Sequence, residues 1–155
     1  MKIKWKPLII SILIPLAVGG LSAFLTRDGM MAFESLEMPP LSPPRWLFPI
    51  AWTILYVLMG IASYLVFTSG KPYRSKTALT FYGIQLIFNF FWSLIFFNLN
   101  EFLIAFVWLV IMLLFIIVTS VLFYRISRPA GYLLIPYILW VTFAGYLNLG
   151  IYLLN

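Results

Sequence analysis

The sequence has no cysteine and no histidine. Disulfides, thiolate nucleophiles, Cys/His zinc sites, imidazole acid–base catalysis and the usual haem ligands are therefore excluded. Charge is nearly as scarce. Only 9% of the 155 residues are Asp, Glu, Lys or Arg, where a soluble domain carries about a quarter. The acids are Asp28, Glu34, Glu37 and Glu101, and none lies inside an apolar run, where proton- and cation-coupled carriers keep theirs. No internal repeat is visible, so an inverted-repeat transporter is not supported. No acid, base, nucleophile or metal-ligand cluster can be assembled, so neither a catalytic residue nor a metal or cofactor site is expected.

What the chain has instead is apolar surface, at 64% of its residues. Five stretches contain no charge at all: Pro7–Thr26, Trp46–Gly70, Thr77–Asn100, Phe102–Tyr124 and Pro129–Asn155. Roughly 20 apolar residues cross a bilayer as a helix, and each stretch is at least that long. The expectation is an all-α membrane protein, a bundle of five transmembrane helices with a long structured loop between helices 1 and 2. The spans are placed at about 7–25, 46–68, 77–98, 102–124 and 130–153, in a single domain over 1–155. A soluble enzyme and a nucleic-acid binder are excluded.

The few charges are sorted by side. Lys2, Lys4, Lys6, Lys71, Arg74, Lys76, Arg125 and Arg128 fall at one end of the expected spans, while Arg27 and Arg45 lie at the other with all four acids. Basic residues stay on the cytoplasmic side, so the N-terminus is expected in the cytoplasm and the C-terminus outside. The net charge of +6 is then a topology signal rather than a ligand site. The first apolar run is too long for a signal-peptide core and lacks a small-x-small cleavage site, so a retained helix is expected. Within it, Pro15 is expected to kink the helix, and Gly19 and Ala23 have the small-x-x-x-small spacing of close helix packing.

The segment Thr26–Arg45 is expected to hold two apolar-acidic turns followed by a stiff stretch with Pro39, Pro40, Pro43 and Pro44. A structured loop of that length in a bundle with otherwise short connections has the character of a lid.

Amides and tryptophans carry the remaining information. Gln85, Asn89 and Trp92 are spaced i, i+4, i+7 and share one helical face. Burying an amide in lipid is costly unless it pairs, so that face points inward. It serves either a ligand or the hydrogen-bonded glue between helices; both readings stand. Trp52 and Tyr56 share a face one turn apart, and Trp140, Ala144 and Leu147 share another, with Asn148 beside it. Trp5, Trp46 and Trp108 suit the membrane interface. The inward faces describe an aromatic-walled cavity for a large, flat, mostly apolar guest.

Four ordered motifs support a specific resemblance: Ser42-Pro-Pro44; Trp46-x-Phe48-x-x-x-Trp52-x-x-Leu-Tyr56-x-x-x-Gly60; Gln85-x-x-x-Asn89-x-x-Trp92-Ser93; and Leu134-x-Pro136-Tyr137-x-x-Trp140-x-x-Phe143-Ala144-x-x-Leu147-Asn148. Over essentially the whole chain the sequence resembles the translocator protein family. This TspO/MBR, or tryptophan-rich sensory protein, family includes the mitochondrial peripheral benzodiazepine receptor. The resemblance implies a bacterial-type member in the cell membrane, with a pocket near the first loop for porphyrins, sterol-like lipids and benzodiazepine-type drugs. It carries pocket roles to Trp52, Asn89, Trp140, Ala144 and Leu147 and loop-closing roles to Phe33 and Pro43. Tyr56, Gln85, Phe88 and Trp92 complete the expected ligand contacts. Leu41 stands where the family often has Trp, and no basic residue follows Arg128, so the sterol-recognition pattern of the last span is missing.

Three functions are compatible with these features. The first is binding or sensing of tetrapyrroles. The second is light-dependent porphyrin degradation with Trp52 and Trp140 as the reactive indoles. The third is transport of porphyrin or lipid. The expected partners are a porphyrin or other hydrophobic small molecule, membrane lipid and a second copy of the chain; no nucleic acid is expected.

Overall fold

In hydrocarbon the backbone has no water to bond, so an apolar run satisfies its own N–H and C=O groups as a helix. The computed structural model, described here for residues 2–155, follows that rule throughout. Helix α1 runs Trp5–Leu25, α2 Arg27–Phe33, α3 Leu47–Phe67 and α4 Pro72–Ser93. A π turn over Leu94–Asn98 continues α4, and α5 (Phe102–Ile126), α6 (Arg128–Leu133) and α7 (Ile135–Leu154) complete the chain. Five segments are long and apolar enough to cross a membrane: Trp5–Leu25, Leu47–Phe67, Pro72–Asn98, Phe102–Ile126 and Arg128–Leu154. This is an integral, multi-pass, all-α membrane protein.

The differences from the sequence expectation have local causes. The loop after α1 opens with a short helix, α2, which runs into the turns expected over Met31–Glu37. The third span starts at Pro72, earlier than the charge-free run, because proline is well suited to the first turn of a helix, whose N–H groups are unpaired anyway. The fifth run is broken at Leu134. Pro136, at the start of α7, has no N–H to give and its ring crowds the carbonyl four residues earlier. Pro15, by contrast, sits buried within an unbroken α1.

Packing rests on small residues, because lipid tails are as apolar as the helix surfaces and supply little drive for association. Helix α1 lies against α3 and α4, α4 against α5, and α5 against α6 and α7. Gly60 of α3 abuts the backbone of Ser11 and Ile12 in α1, leaving no room for a Cβ. Gly19 takes the ring of Tyr56 in the same way, so this small residue of α1 serves a contact within the chain. Met59, Met112, Ile116, Phe123 and Val141 fill the shared interior, while Leu13, Leu21, Ile54, Leu114 and Leu139 face outward. Of the three expected interfacial tryptophans, Trp5 and Trp46 are exposed. Trp108 instead turns into the α4–α5 seam and donates its indole N–H to the Phe88 carbonyl at 2.8 Å.

The long loop is tied down at several points. Tyr146 on α7 donates to the Pro40 carbonyl at 2.5 Å. Asn155 donates to the Glu37 carbonyl at 3.0 Å and accepts from the Glu37 N–H at 3.2 Å. Gly29 of α2 backs onto the Phe97 carbonyl, and Asn98 donates to the Leu25 carbonyl at 3.0 Å. Within the proline-rich stretch Leu41 has φ 69°, a backbone region that β-carbon-bearing residues enter at a cost.

Gly60→Ala is therefore expected to destabilise the bundle by about 1–3 kcal/mol, the usual cost of overpacking a tight site. Gly20, with open space around it, is the control, and Gly20→Ala is expected to be neutral. Thermal unfolding of both variants in detergent micelles measures the difference.

Candidate ligand-binding site

The cavity forms in the half of the bundle that adjoins the loop, where the C-terminal halves of α1, α4 and α7 meet the start of α3. It encloses about 330 Å³, within the range of small-molecule sites, roughly 300–1,000 Å³. Helix α3 contributes Phe48, Pro49, Trp52 and Tyr56; α4 contributes Asn89, Trp92 and Ser93. Trp140, Ala144, Leu147, Asn148 and Ile151 come from α7, and Gly19, Ser22 and Ala23 from α1. Met30, Phe33, Glu34, Met38 and Arg45 close the loop side.

The aromatic walls are built from ring-on-ring contacts. Trp52 stacks on Tyr56 with centroids 5.6 Å apart and meets Tyr137 edge-on at 6.3 Å. Trp140 takes Phe48 edge-on at 5.8 Å. Trp92 stacks on Phe96 at 5.1 Å, and Phe33 from α2 reaches Phe96 and Phe97 at 5.7 and 5.4 Å. Such pairs prefer offset or edge-to-face geometry and hold flat surfaces rigidly.

Behind the aromatic wall runs a hydrogen-bonded series of side chains. The Tyr56 hydroxyl donates to Asn89 Oδ1 at 2.8 Å, and Asn89 Nδ2 donates to the Tyr137 hydroxyl at 2.8 Å. The Tyr137 hydroxyl then donates to Gln85 Oε1 at 2.6 Å. All four residues are buried, and together they join α3, α4 and α7. A second tie lies nearer the loop. Trp92 Nε1 donates to Asn148 Oδ1 at 3.1 Å, and Asn148 Nδ2 to the Phe102 carbonyl at 2.8 Å. These bonds draw polar groups out of contact with lipid and fix the walls of the cavity.

The structure brings eight of the sequence-derived candidates to the cavity wall: Phe33, Trp52, Tyr56, Asn89, Trp92, Trp140, Ala144 and Leu147. Three lie elsewhere. Gln85 is one turn further from the loop, behind Tyr137. Phe88 packs on Trp108 at 4.4 Å and Phe115 at 5.4 Å, in the α4–α5 seam. Pro43 is in the loop but off the wall, while Arg45 two residues later is on it. Tyr137, Phe96 and Arg45 belong to the site without being among the sequence-derived candidates. Tyr137 lies one turn before Trp140 on the same face, and Phe96 one turn after Trp92, so helical spacing held both signals. Phe97 joins Phe96 on the wall because the π turn, with its wider ring, presents adjacent residues.

Fold and site together define a five-span membrane protein with an internal aromatic cavity roofed by its first loop. The TspO/MBR family pattern matches residues 11–154, and the chain belongs to that family. It is 40% identical over 149 residues to a tryptophan-rich protein TspO of Archaeoglobus fulgidus, covering 96% of each chain. To the protein of the same name from Chlorobaculum tepidum it is 39% identical over 135 residues, 86% of this chain and 85% of the relative. To the translocator protein of Bos taurus it is 35% identical over 147 residues, 93% of this chain and 87% of the relative.

Asn89→Leu deprives the Tyr56 hydroxyl of its acceptor inside the bundle. The expected cost is about 0.5–2 kcal/mol, the scale of hydrogen bonds between membrane helices. Adding Tyr56→Phe removes the orphaned hydroxyl and is expected to recover part of the loss. Unfolding of the single and double variants in SDS titrations tests this non-additivity.

Proposed function

We propose that the protein binds tetrapyrroles and other large, flat, mostly apolar molecules in the cavity beneath its first loop, as a binding or sensory protein. The observation that carries this reading is the convergence of Trp52 from α3, Asn89 from α4 and Trp140 from α7 on one cavity. Indole faces give broad stacking surface, and a single amide adds orientation without the desolvation cost of a charge. The family relatives carry names that speak of sensing and translocation, which suits a protein whose working part is a ligand site. In the orientation favoured by the basic loops, with the N-terminus cytoplasmic, the loop and the cavity mouth lie on the non-cytoplasmic side. The cavity accepts a guest from the membrane or from that side by displacement of the loop, and drug-like and sterol-like apolar molecules compete for the same surface.

Titration of protoporphyrin into the solubilised protein is expected to quench tryptophan fluorescence saturably. Ala144→Phe fills the space beside Trp140 and is expected to weaken binding tenfold or more. Quenching that rises linearly without saturation, or is untouched by Ala144→Phe, contradicts an internal site.

A further inference from the structure

The polar groups of the cavity wall are unevenly used. Its amide oxygens are taken: Asn89 Oδ1 accepts from Tyr56, and Asn148 Oδ1 from Trp92. Its donors are not. Trp140 Nε1 is buried without a hydrogen-bond partner. Arg45 is half-buried, with its guanidinium over the ring of Phe33 at 5.3 Å, and among the described residues no carboxylate or other acceptor pairs with it. The contrast with Arg27 is direct. Arg27 also lies over a phenyl ring, that of Phe24, but donates to the Phe24 carbonyl at 2.7 Å. In a chain with so few charges, a cation facing an apolar cavity without a partner is costly to keep. Glu34 shares this mouth but is exposed to solvent.

We infer that Arg45 recognises a carboxylate on the ligand, so that the occupant is an apolar body bearing acid groups at one edge. A guanidinium offers a planar fork that matches two carboxylate oxygens. Phe33 holds the fork from one side, and Phe33 is itself fixed by Phe96 and Phe97, so Arg45 reaches the mouth already oriented. The apolar body then lies against Trp52 and Trp140, and the acid edge stays at the loop, where residual water lowers the cost of its charge. The ligand brings acceptors to a wall whose spare groups are donors. This inference rests on the tetrapyrrole reading for its preferred probe but makes a separate claim, that the free acid is selected over its neutral ester.

The experiment compares protoporphyrin with its dimethyl ester in nanodiscs of neutral phosphatidylcholine, for the wild type, Arg45→Gln and Arg45→Lys. The wild type is expected to bind the diacid about tenfold more tightly than the ester. Arg45→Gln is expected to abolish that preference, and Arg45→Lys to restore part of it through charge without the fork. Equal affinity for acid and ester in the wild type, or an acid preference that survives Arg45→Gln, overturns the assignment. If neither porphyrin binds, the tetrapyrrole reading fails by itself. Arg45 is then judged on oleate against methyl oleate, where the same Arg45-dependent acid preference supports the claim and its absence overturns it.

Discussion

The hydrogen-bonded series Tyr56–Asn89–Tyr137–Gln85 is the interaction on which the rest of the interior depends. Each member donates onward to the next, from α3 through α4 to α7 and back to α4. In lipid, helices gain little from burying one apolar surface against another. Three helices crossing at one polar knot are therefore held in register by direction as well as by shape. The knot also sets the floor of the cavity. Below it lie Met59, Met112 and Ile116, buried in one apolar cluster; above it, the walls part around Trp52, Trp140 and Ala144.

The loop completes the enclosure because it is anchored on both sides. Its proline-rich stretch is pinned to α7 through Tyr146 and Asn155, and its helical part to the π turn through Gly29. These contacts are few and lie near solvent, whereas the helix contacts beneath them are buried. Opening is accordingly expected to begin at the loop, with the helices unchanged. Leu41, exposed and in a left-handed backbone conformation, marks where that stretch is least favourably arranged.

The spans were legible in the sequence because charge is nearly absent within them and clustered between them, a signal that does not depend on tertiary packing. The inward faces were legible for the same reason. Asn89 and Trp92 recur at helical spacing, and an amide in lipid has few places to go. Phe88 neighbours Asn89 in sequence, yet one residue is a turn of about 100° around a helix, which points it toward Trp108. Gln85 shares the face of Asn89 but lies a turn deeper, and the hydroxyl of Tyr137 interposes. The π turn after Ser93 and the break at Leu134 were less legible, since they arise where local backbone preferences meet packing. Arg45 read as one of two loop cations, and its position at the cavity mouth depends on the path of the loop between α2 and α3, which no periodicity encodes.

The central claim is that this cavity, bounded by Trp52, Trp92 and Trp140, is where an apolar ligand resides. The most direct measurement is the indole N–H spectrum of the six tryptophans in ¹⁵N-labelled protein in nanodiscs, assigned by single Trp→Phe variants, with and without protoporphyrin. The resonances of Trp52, Trp92 and Trp140 are predicted to shift together on titration, while those of Trp5, Trp46 and Trp108 stay in place. Shifts confined to Trp5 and Trp46, on the outer surface, would contradict the account.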